Sequence, residues 1–274
     1  MSKNKITIFL GGGLGNILFQ LNHAQNLIDA GYEIKFNTVL STNKKLLKVL
    51  NWTHHAYTIE ALNELNIFDL EQTQIQQKLL PLLGFLPIIN IFLRYKNFKH
   101  EVHDFDDKYN AVFGYFHVGC KINMNFLRKL RSGIDNYVKL KNLRQPKNNE
   151  LVIHHRGGDY LKFKMQHSND QIINRQIQLI NEFCRVTVVT NDKIDAQQTY
   201  GQAKIKKEIE IIASTHFLDD FCFLANAKNL IISNSTFSWW ASEVADCEAL
   251  YEPKQFFGHI DYWSPETRKK RIKL

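Results

Sequence analysis

The sequence predicts an α/β protein of two doubly wound, Rossmann-like halves, an N-terminal one at residues 1–145 and a C-terminal one at residues 146–274. Three observations carry this. A strand, a glycine turn, a helix and a second strand open the chain. The same alternation of apolar runs and helical periods returns after residue 150, and a polar stretch, Lys139 to Glu150 with Pro146 inside it, separates the two. Folds of this kind bind ligands beyond the C-terminal ends of their strands, so the expected site is a cleft between the halves.

The elements follow in order. Ile6 to Leu10 is a short apolar run that stops at Gly11-Gly12-Gly13. A helix is expected from about Asn16 to Ala30, with Leu18, Leu21, Ala24 and Leu27 at every third position; Gly31 ends it and Glu33 to Phe36 resumes as a strand. In the second half Leu151 to His155 is a strand. Residues 168 to 182 read as a helix capped by Ser168 or Asn169, with Ile173, Ile177 and Ile180 on one face. Arg185 to Thr190 is β-branched and strand-like. A helix at Leu218 to Ala227, a strand at Leu230 to Ser233 and a helix from Phe237 to Ala245 complete the series.

Composition narrows the classes. The 274 residues are 44% hydrophobic, enough for a substantial core. Cys120, Cys184, Cys222 and Cys247 are widely spaced with no CxxC pair, which reads as reduced thiols of a cytoplasmic protein and as neither a disulfide frame nor a zinc site. The start, Met-Ser-Lys-Asn-Lys, runs straight into a strand and is no secretory signal. A net charge of +8 admits nucleic acid, an anionic membrane or a phosphate-bearing substrate as partner. Much of the excess lies in Lys3 to Lys5 and Arg268 to Lys273, where a solvated basic tail is the simple reading. No nucleic-acid module is legible and the basic residues are not interleaved with aromatics, so nucleic acid is not an expected partner. Leu79 to Leu93 contains one polar residue, Asn90, and is flanked by Lys78, Arg94, Lys96 and Lys99. Broken by Pro81, Gly84 and Pro87, it is too short to span a bilayer; it either packs in the core or rests on an anionic membrane.

Three motifs carry chemistry. Gly11 to Asn16 (GGGLGN) is a glycine turn entering a helix, where backbone can approach a ligand and the helix N-terminus favours negative charge. Asn16 stands where a dinucleotide fingerprint needs glycine, and no Gly-Lys-Ser/Thr follows, so neither that motif nor a P-loop is present. Val152 to Tyr160 (VIHHRGGDY) brings His154, His155 and Arg156 to a strand end, before two glycines and Asp159. An arginine there suits two-pronged phosphate recognition, or a salt bridge to Asp159. The adjacent histidines point to opposite faces of the strand and cannot both ligate one metal. Asp219 to Asp246 contains the polar turn Ser233-Asn234-Ser235-Thr236 before a helix, either a phosphate cradle or an N-cap, with Trp239 and Trp240 as core.

Taken together and in this order, the motifs resemble those of the bacterial and animal α-1,2-fucosyltransferases, glycosyltransferase family 11. That family's GGLGNQ-x-FQ is similar to GGLGNILFQ at Gly12 to Gln20, its HxRRxDY to His154 through Tyr160, and its IISNSSFSWW to Ile231 through Trp240; Gly114-Tyr115-Phe116 resembles its Gly-Tyr-Phe-Gln. The resemblance implies a GT-B-like fold, inverting and metal-independent transfer of L-fucose from GDP-fucose to an oligosaccharide or lipid-linked glycan acceptor, no cofactor, and a place in surface polysaccharide or lipopolysaccharide synthesis. It implies that Arg156 grips the donor phosphates, that His154 and Asp220 contact guanine, that Ser235 and Thr236 lie beside the phosphates, and that Asn16 reaches the donor. Asp159 is the candidate general base, with His155 and His167 behind it. Two departures, Gly157 for the second arginine and Ile17 for glutamine, leave open another nucleotide-linked sugar such as rhamnose or galactose. Asp104-Phe105-Asp106 would suit a metal-dependent transferase, and the βαβ opening an NAD(P)-dependent oxidoreductase, although Lys35-Phe36-Asn37 lacks the acidic residue that class requires.

The apolar segment gives a first prediction. The protein sediments with anionic liposomes, and less so as salt rises, because charge attraction is screened within about 8 Å at physiological ionic strength. Replacing Phe85 and Ile89 by Ser weakens sedimentation while the chain stays folded. Loss of soluble expression would mark the segment as core.

Overall fold

The computed structural model describes residues 5–42, 58–68, 111–112, 114, 116, 119–157, 170–201, 208–253 and 269–274. The chain divides into two compact units, Met1–Lys129 and Leu130–Leu274, a division that falls upstream of residue 145. Leu79 to Leu93, Asp104 to Asp106, Asp159, His167 and the expected caps Ser168 and Asn169 lie outside the described residues.

In the first unit β1 (Lys5–Phe9) is central, paired in parallel with β2 (Glu33–Asn37) on one side and with β3 (Ala111–Val112) on the other. Strand order therefore reverses beside β1. Helix α1 (Leu14–Asp29) crosses from β1 to β2 and buries Ile17, Leu18, Leu21 and Ala24. Its C-terminus is closed by Gly31 N–H donating to the Ile28 carbonyl (2.9 Å) and Tyr32 N–H to that of Leu27 (3.0 Å), a Schellman arrangement. Gly31 has φ +95° with open space around its α-carbon, so the left-handed backbone alone calls for glycine. Two short helices, α2 (Val39–Thr42) and α3 (Thr58–Leu65), complete the described part of this unit.

Helix α4 (Met124–Lys141) contains the point of division. No helix is predicted there from the sequence, although Phe126, Leu130, Ile134 and Tyr137 are buried at helical spacing. The polar stretch read as a linker thus begins inside a helix, and its last residue, Glu150, is fully buried in a strand. Arg144 binds the Glu150 carboxylate at 2.7 Å and the Lys147 N–H donates to it at 2.9 Å.

The second unit is a six-stranded parallel sheet. Its strands are β4 (Glu150–His155), β5 (Arg185–Thr190), β6 (Ile209–Ile212), β7 (Asn229–Ile231), β8 (Ala249–Glu252) and β9 (Ile272–Lys273), in the order β6-β5-β4-β7-β8-β9. The first strand lies in the middle, two are added on one side and three on the other, which is the Rossmann order. Helices α5 (Asp170–Glu182), α6 (Lys193–Gly201), α7 (Phe217–Ala225) and α8 (Thr236–Val244) link them. All six residues of β4 are buried, as a parallel strand covered on both faces requires. Each unit is Rossmann-like, as the sequence predicts.

The basic C-terminal segment is not a solvated tail throughout. Residues 272–273 pair with β8, Leu274 is buried among Leu151, Ile153 and Val188, and the Arg271 side chain is only 4% exposed. The Arg271 guanidinium meets Glu243 and, at 2.9 Å, Glu252; it also donates to Ser242 Oγ at 3.1 Å, and Lys273 bonds Glu252 as well. Carboxylates buried this deeply need a cation beside them, which is what draws the basic residues inward. Arg271→Ala is therefore expected to destabilise the protein by about 3–5 kcal/mol, because it strips the guanidinium from two buried acids. Urea unfolding checks this, and a midpoint unchanged from the parent would refute it.

Candidate functional site

The C-terminal end of β4 is where the chemistry collects. Strand order reverses between β4 and β7, so the loops leaving these neighbours diverge and open a crevice at their C-terminal ends. The β4 exit carries His154-His155-Arg156-Gly157, and the β7 exit carries Ser233 to Thr236. Two of the motifs, far apart in sequence, thus meet at one point of the sheet. His154 Nδ1 and Ser233 Oγ lie 2.7 Å apart in a hydrogen bond.

The two histidines point to opposite faces, as strand geometry requires. His154 packs against Phe237 at 5.6 Å between ring centres, and His155 sets its ring edge to face with Tyr200 at 5.5 Å. Burial, followed by the charge of Arg156 and the proximity of His155, lowers the His154 pKa to about 3. It is a neutral imidazole at physiological pH, a donor or acceptor and not a cation. His155 Nε2 bonds Asp195 Oδ2 at 2.7 Å. Arg156 follows at the strand end, partly exposed. Gly157 donates its N–H to Asn191 Oδ1 at 3.0 Å, and a Cβ built on it would stand 2.7 Å from Asp192 Cβ and 3.0 Å from Asp195 Oδ2. The position has no room for a side chain. The missing second arginine therefore has a steric cause in the β5–α6 loop.

The Ser233–Thr236 turn is internally bonded. Ser235 is buried and its Oγ accepts from Phe237 N–H at 3.3 Å, so it caps α8. Ser238 Oγ donates to the carbonyls of Ser233 and Ser235, both at 3.3 Å, and tightens the turn. Thr236 is partly exposed at the first turn of the helix. Trp239 and Trp240 are buried, in keeping with a core role.

Asp220 sits in the first turn of α7, 8% exposed. Ser214 binds its carboxylate twice, through Oγ at 2.5 Å and N–H at 3.3 Å. Burial raises the Asp220 pKa to about 6 against these two hydrogen bonds, with neighbouring Asp219 adding to the rise. Phe221, the next residue, packs against Phe237 at 5.2 Å, so aromatic contacts run from α7 through Phe237 to His154.

In the N-terminal unit the glycine turn is held at that sheet's own reversal. Gln20 accepts from Gly11 N–H at 3.1 Å and donates to the carbonyls of Gly11 (3.2 Å) and Gly114 (3.0 Å), bridging the exits of β1 and β3. Gly12 has φ +97°, which explains a glycine at that place. Asn16 is partly exposed in the first turn of α1.

Of the site residues predicted from the sequence, His154, Arg156, Ser235, Thr236 and Asp220 all lie at the C-terminal side of the second sheet or in the helices that start there. Ser233 as the partner of His154, and Asn191, Asp192, Asp195 and Ser214, are not among the residues predicted from the sequence. A usable signal existed for Asn191 and Asp192, because they directly follow the strand Arg185–Thr190, where strand-end residues face ligands. Among the described residues no group of three or more His, Cys, Asp and Glu is arranged to hold a metal ion, and no helix is long and apolar enough to cross a membrane.

No protein-family model matches the chain, and no curated sequence does. Among solved structures, similarity is found to the Escherichia coli heptosyltransferase WaaC solved with ADP (9% identity, TM-score 0.42, 91% of this chain and 87% of that one). A glycosyl transferase family 9 protein from Veillonella parvula is similar at 9% identity and a TM-score of 0.47, over 99% of this chain and 85% of that one. The fucosyltransferase NodZ from Bradyrhizobium is similar at 12% identity and a TM-score of 0.43, over 89% and 94%. At these values the likeness concerns the course of the chain alone.

Asp220 gives a prediction in which the sign matters. Its carboxyl holds a proton more tightly in the folded chain than in the unfolded one, so the folded state gains from neutral Asp220 at low pH. That gain is lost as pH rises from about 4 to about 6. A rise of roughly two units corresponds to about 3 kcal/mol. Asp220→Asn, which keeps an acceptor for Ser214, should remove this part of the pH slope in urea unfolding between pH 4 and 6.5. Identical slopes for the two proteins would overturn it.

Proposed function

We propose that the chain is a nucleotide-sugar glycosyltransferase of GT-B type that moves L-fucose from GDP-fucose to a glycan hydroxyl, with inversion and without a metal. The observation that carries the reading is that the β4 exit, which carries Arg156, is joined through His154 to the Ser233–Thr236 turn at the strand-order reversal between β4 and β7. An anionic diphosphate placed there has a guanidinium on one side and the first turn of α8 on the other.

Transfer requires the departing diphosphate to take on charge as the bond to the anomeric carbon breaks. Arg156 meets that charge as a preorganised donor, with the Thr236 hydroxyl beside it. Guanine is matched by Asp220, whose ionised carboxylate accepts from the two N–H positions of the purine edge, and by neutral His154. Asp159 is the group that takes the acceptor proton. The acceptor is an oligosaccharide or lipid-linked glycan. Peripheral contact with the inner face of the cytoplasmic membrane through Leu79 to Leu93 would bring the enzyme to a lipid-linked one.

Gly157 favours a second reading within the same class. Asp192 closes the space over it, so the site has one cation fewer than the fucosyltransferase motif supplies, and another nucleotide-linked sugar, such as dTDP-rhamnose, would suit the altered charge. A donor screen with GDP-fucose, GDP-mannose, dTDP-rhamnose and UDP-galactose separates the two.

The test of the whole reading is Arg156→Ala. Turnover should fall by roughly 10²- to 10³-fold, as for loss of one preorganised charge stabiliser. Arg156→Lys should restore little, since an ammonium cannot make the planar two-pronged contact. Near-UV circular dichroism should remain that of the parent. An Ala variant that keeps GDP affinity and turnover within a few-fold would overturn the donor-site assignment.

A further inference from the structure

One loop holds the chain on both sides of Arg156. His155, the residue before it, is bonded through Nε2 to Asp195 at 2.7 Å. Gly157, the residue after it, donates its N–H to Asn191 at 3.0 Å. Asn191 and Asp195 belong to one short segment running from the end of β5 into the first turn of α6. The segment is itself braced: Asp192 N–H donates to Thr190 Oγ1 at 2.9 Å, and Asp195 N–H to Asp192 Oδ1 at 3.1 Å. Tyr200, further along α6, packs on the His155 ring and donates its hydroxyl to Gln176 at 3.1 Å. Strand pairing between β4 and β5 extends to His155 against Thr190, so the clamp begins where the ladder stops.

An arginine at the last turn of a strand loses the ladder that would otherwise fix its backbone, and its long side chain gives up rotamer freedom when it grips a ligand. Tying down residues 155 and 157 fixes the peptide planes on either side of residue 156 and sets the direction in which its side chain leaves. We propose that Asn191 and Asp195 are positioning residues for Arg156. They aim its guanidinium at the anionic group of the ligand and do not touch that ligand themselves. This rests on the reading of Arg156 as the residue that meets a diphosphate.

Charge makes the idea testable by sign. Asp195 is an acid near the place where an anion binds, so on electrostatics alone Asp195→Ala should tighten GDP binding. Positioning demands the reverse. The experiment measures GDP dissociation constants by calorimetry for Asn191→Ala, Asp195→Ala and Asp195→Asn in the full chain, each with and without Arg156→Ala, beside thermal unfolding of every variant. Asn191→Ala and Asp195→Ala should each weaken GDP binding roughly tenfold when Arg156 is present and less than twofold when it is absent, the coupling expected of residues acting through one another. Asp195→Asn, which keeps a side-chain oxygen for His155, should bind GDP at least as well as Asp195 itself. If Arg156→Ala weakens GDP binding but the loop variants weaken it equally in both backgrounds, or leave it unchanged, the positioning role is wrong and the Arg156 assignment stands. If Arg156→Ala leaves GDP binding unchanged, both fall. Should Asn191→Ala fail to fold, the Ala and Asn variants of Asp195 carry the same cycle.

Discussion

The hydrogen bond between His154 and Ser233 ties together the two strands between which the C-terminal sheet changes direction. At such a point the crossovers on either side leave to opposite faces, so nothing in the regular ladder joins the exits of β4 and β7. A buried imidazole without a partner would carry a desolvation cost of roughly 1–3 kcal/mol. Ser233 supplies that partner, and the bond fixes the distance between the strand end that carries Arg156 and the turn that starts α8. The Ser238 hydroxyl then holds the turn, and Ser235 caps the helix. The geometry of the site descends from this one contact.

The N-terminal unit meets the same constraint with different chemistry. At its reversal a single amide, Gln20, binds both polar groups of Gly11 and the carbonyl of Gly114. An amide can donate and accept at once, so it joins two strand exits whose backbone groups point inward. Both sheets thus use a buried polar side chain where the strand ladder cannot reach.

Much of the fold was legible because its signals are local. The strand Arg185–Thr190 is β-branched along most of its length and was read with its observed bounds, and α1 announced itself through Leu18, Leu21, Ala24 and Leu27 and the closing Gly31. What escaped was written in weaker or longer-range terms. Helix α4 interleaves Arg128, Lys129 and Arg131 along the chain with the residues of its buried stripe, and α6 buries only Ala196 and Tyr200. The inward turn of Arg271 depends on Glu243 and Glu252, which only the folded sheet brings beside it. The site divides in the same way. Arg156 and Ser235 stand in motifs, whereas Asn191 and Asp195 matter through the space around Gly157, and no spacing along the chain encodes a distance across two strands.

The close fit around Gly157 has a consequence for altering the protein by design or by selection. A guanidinium cannot be added at this position by one change, because the first atom of any side chain collides with Asp192 Cβ, close to the backbone and unable to swing away. Asp192 would have to become glycine first, and that step surrenders the acceptor for Asp195 N–H and slackens the loop. The route to a two-arginine site therefore passes through a less ordered intermediate, and the order of the two substitutions decides whether a folded protein is present at every step.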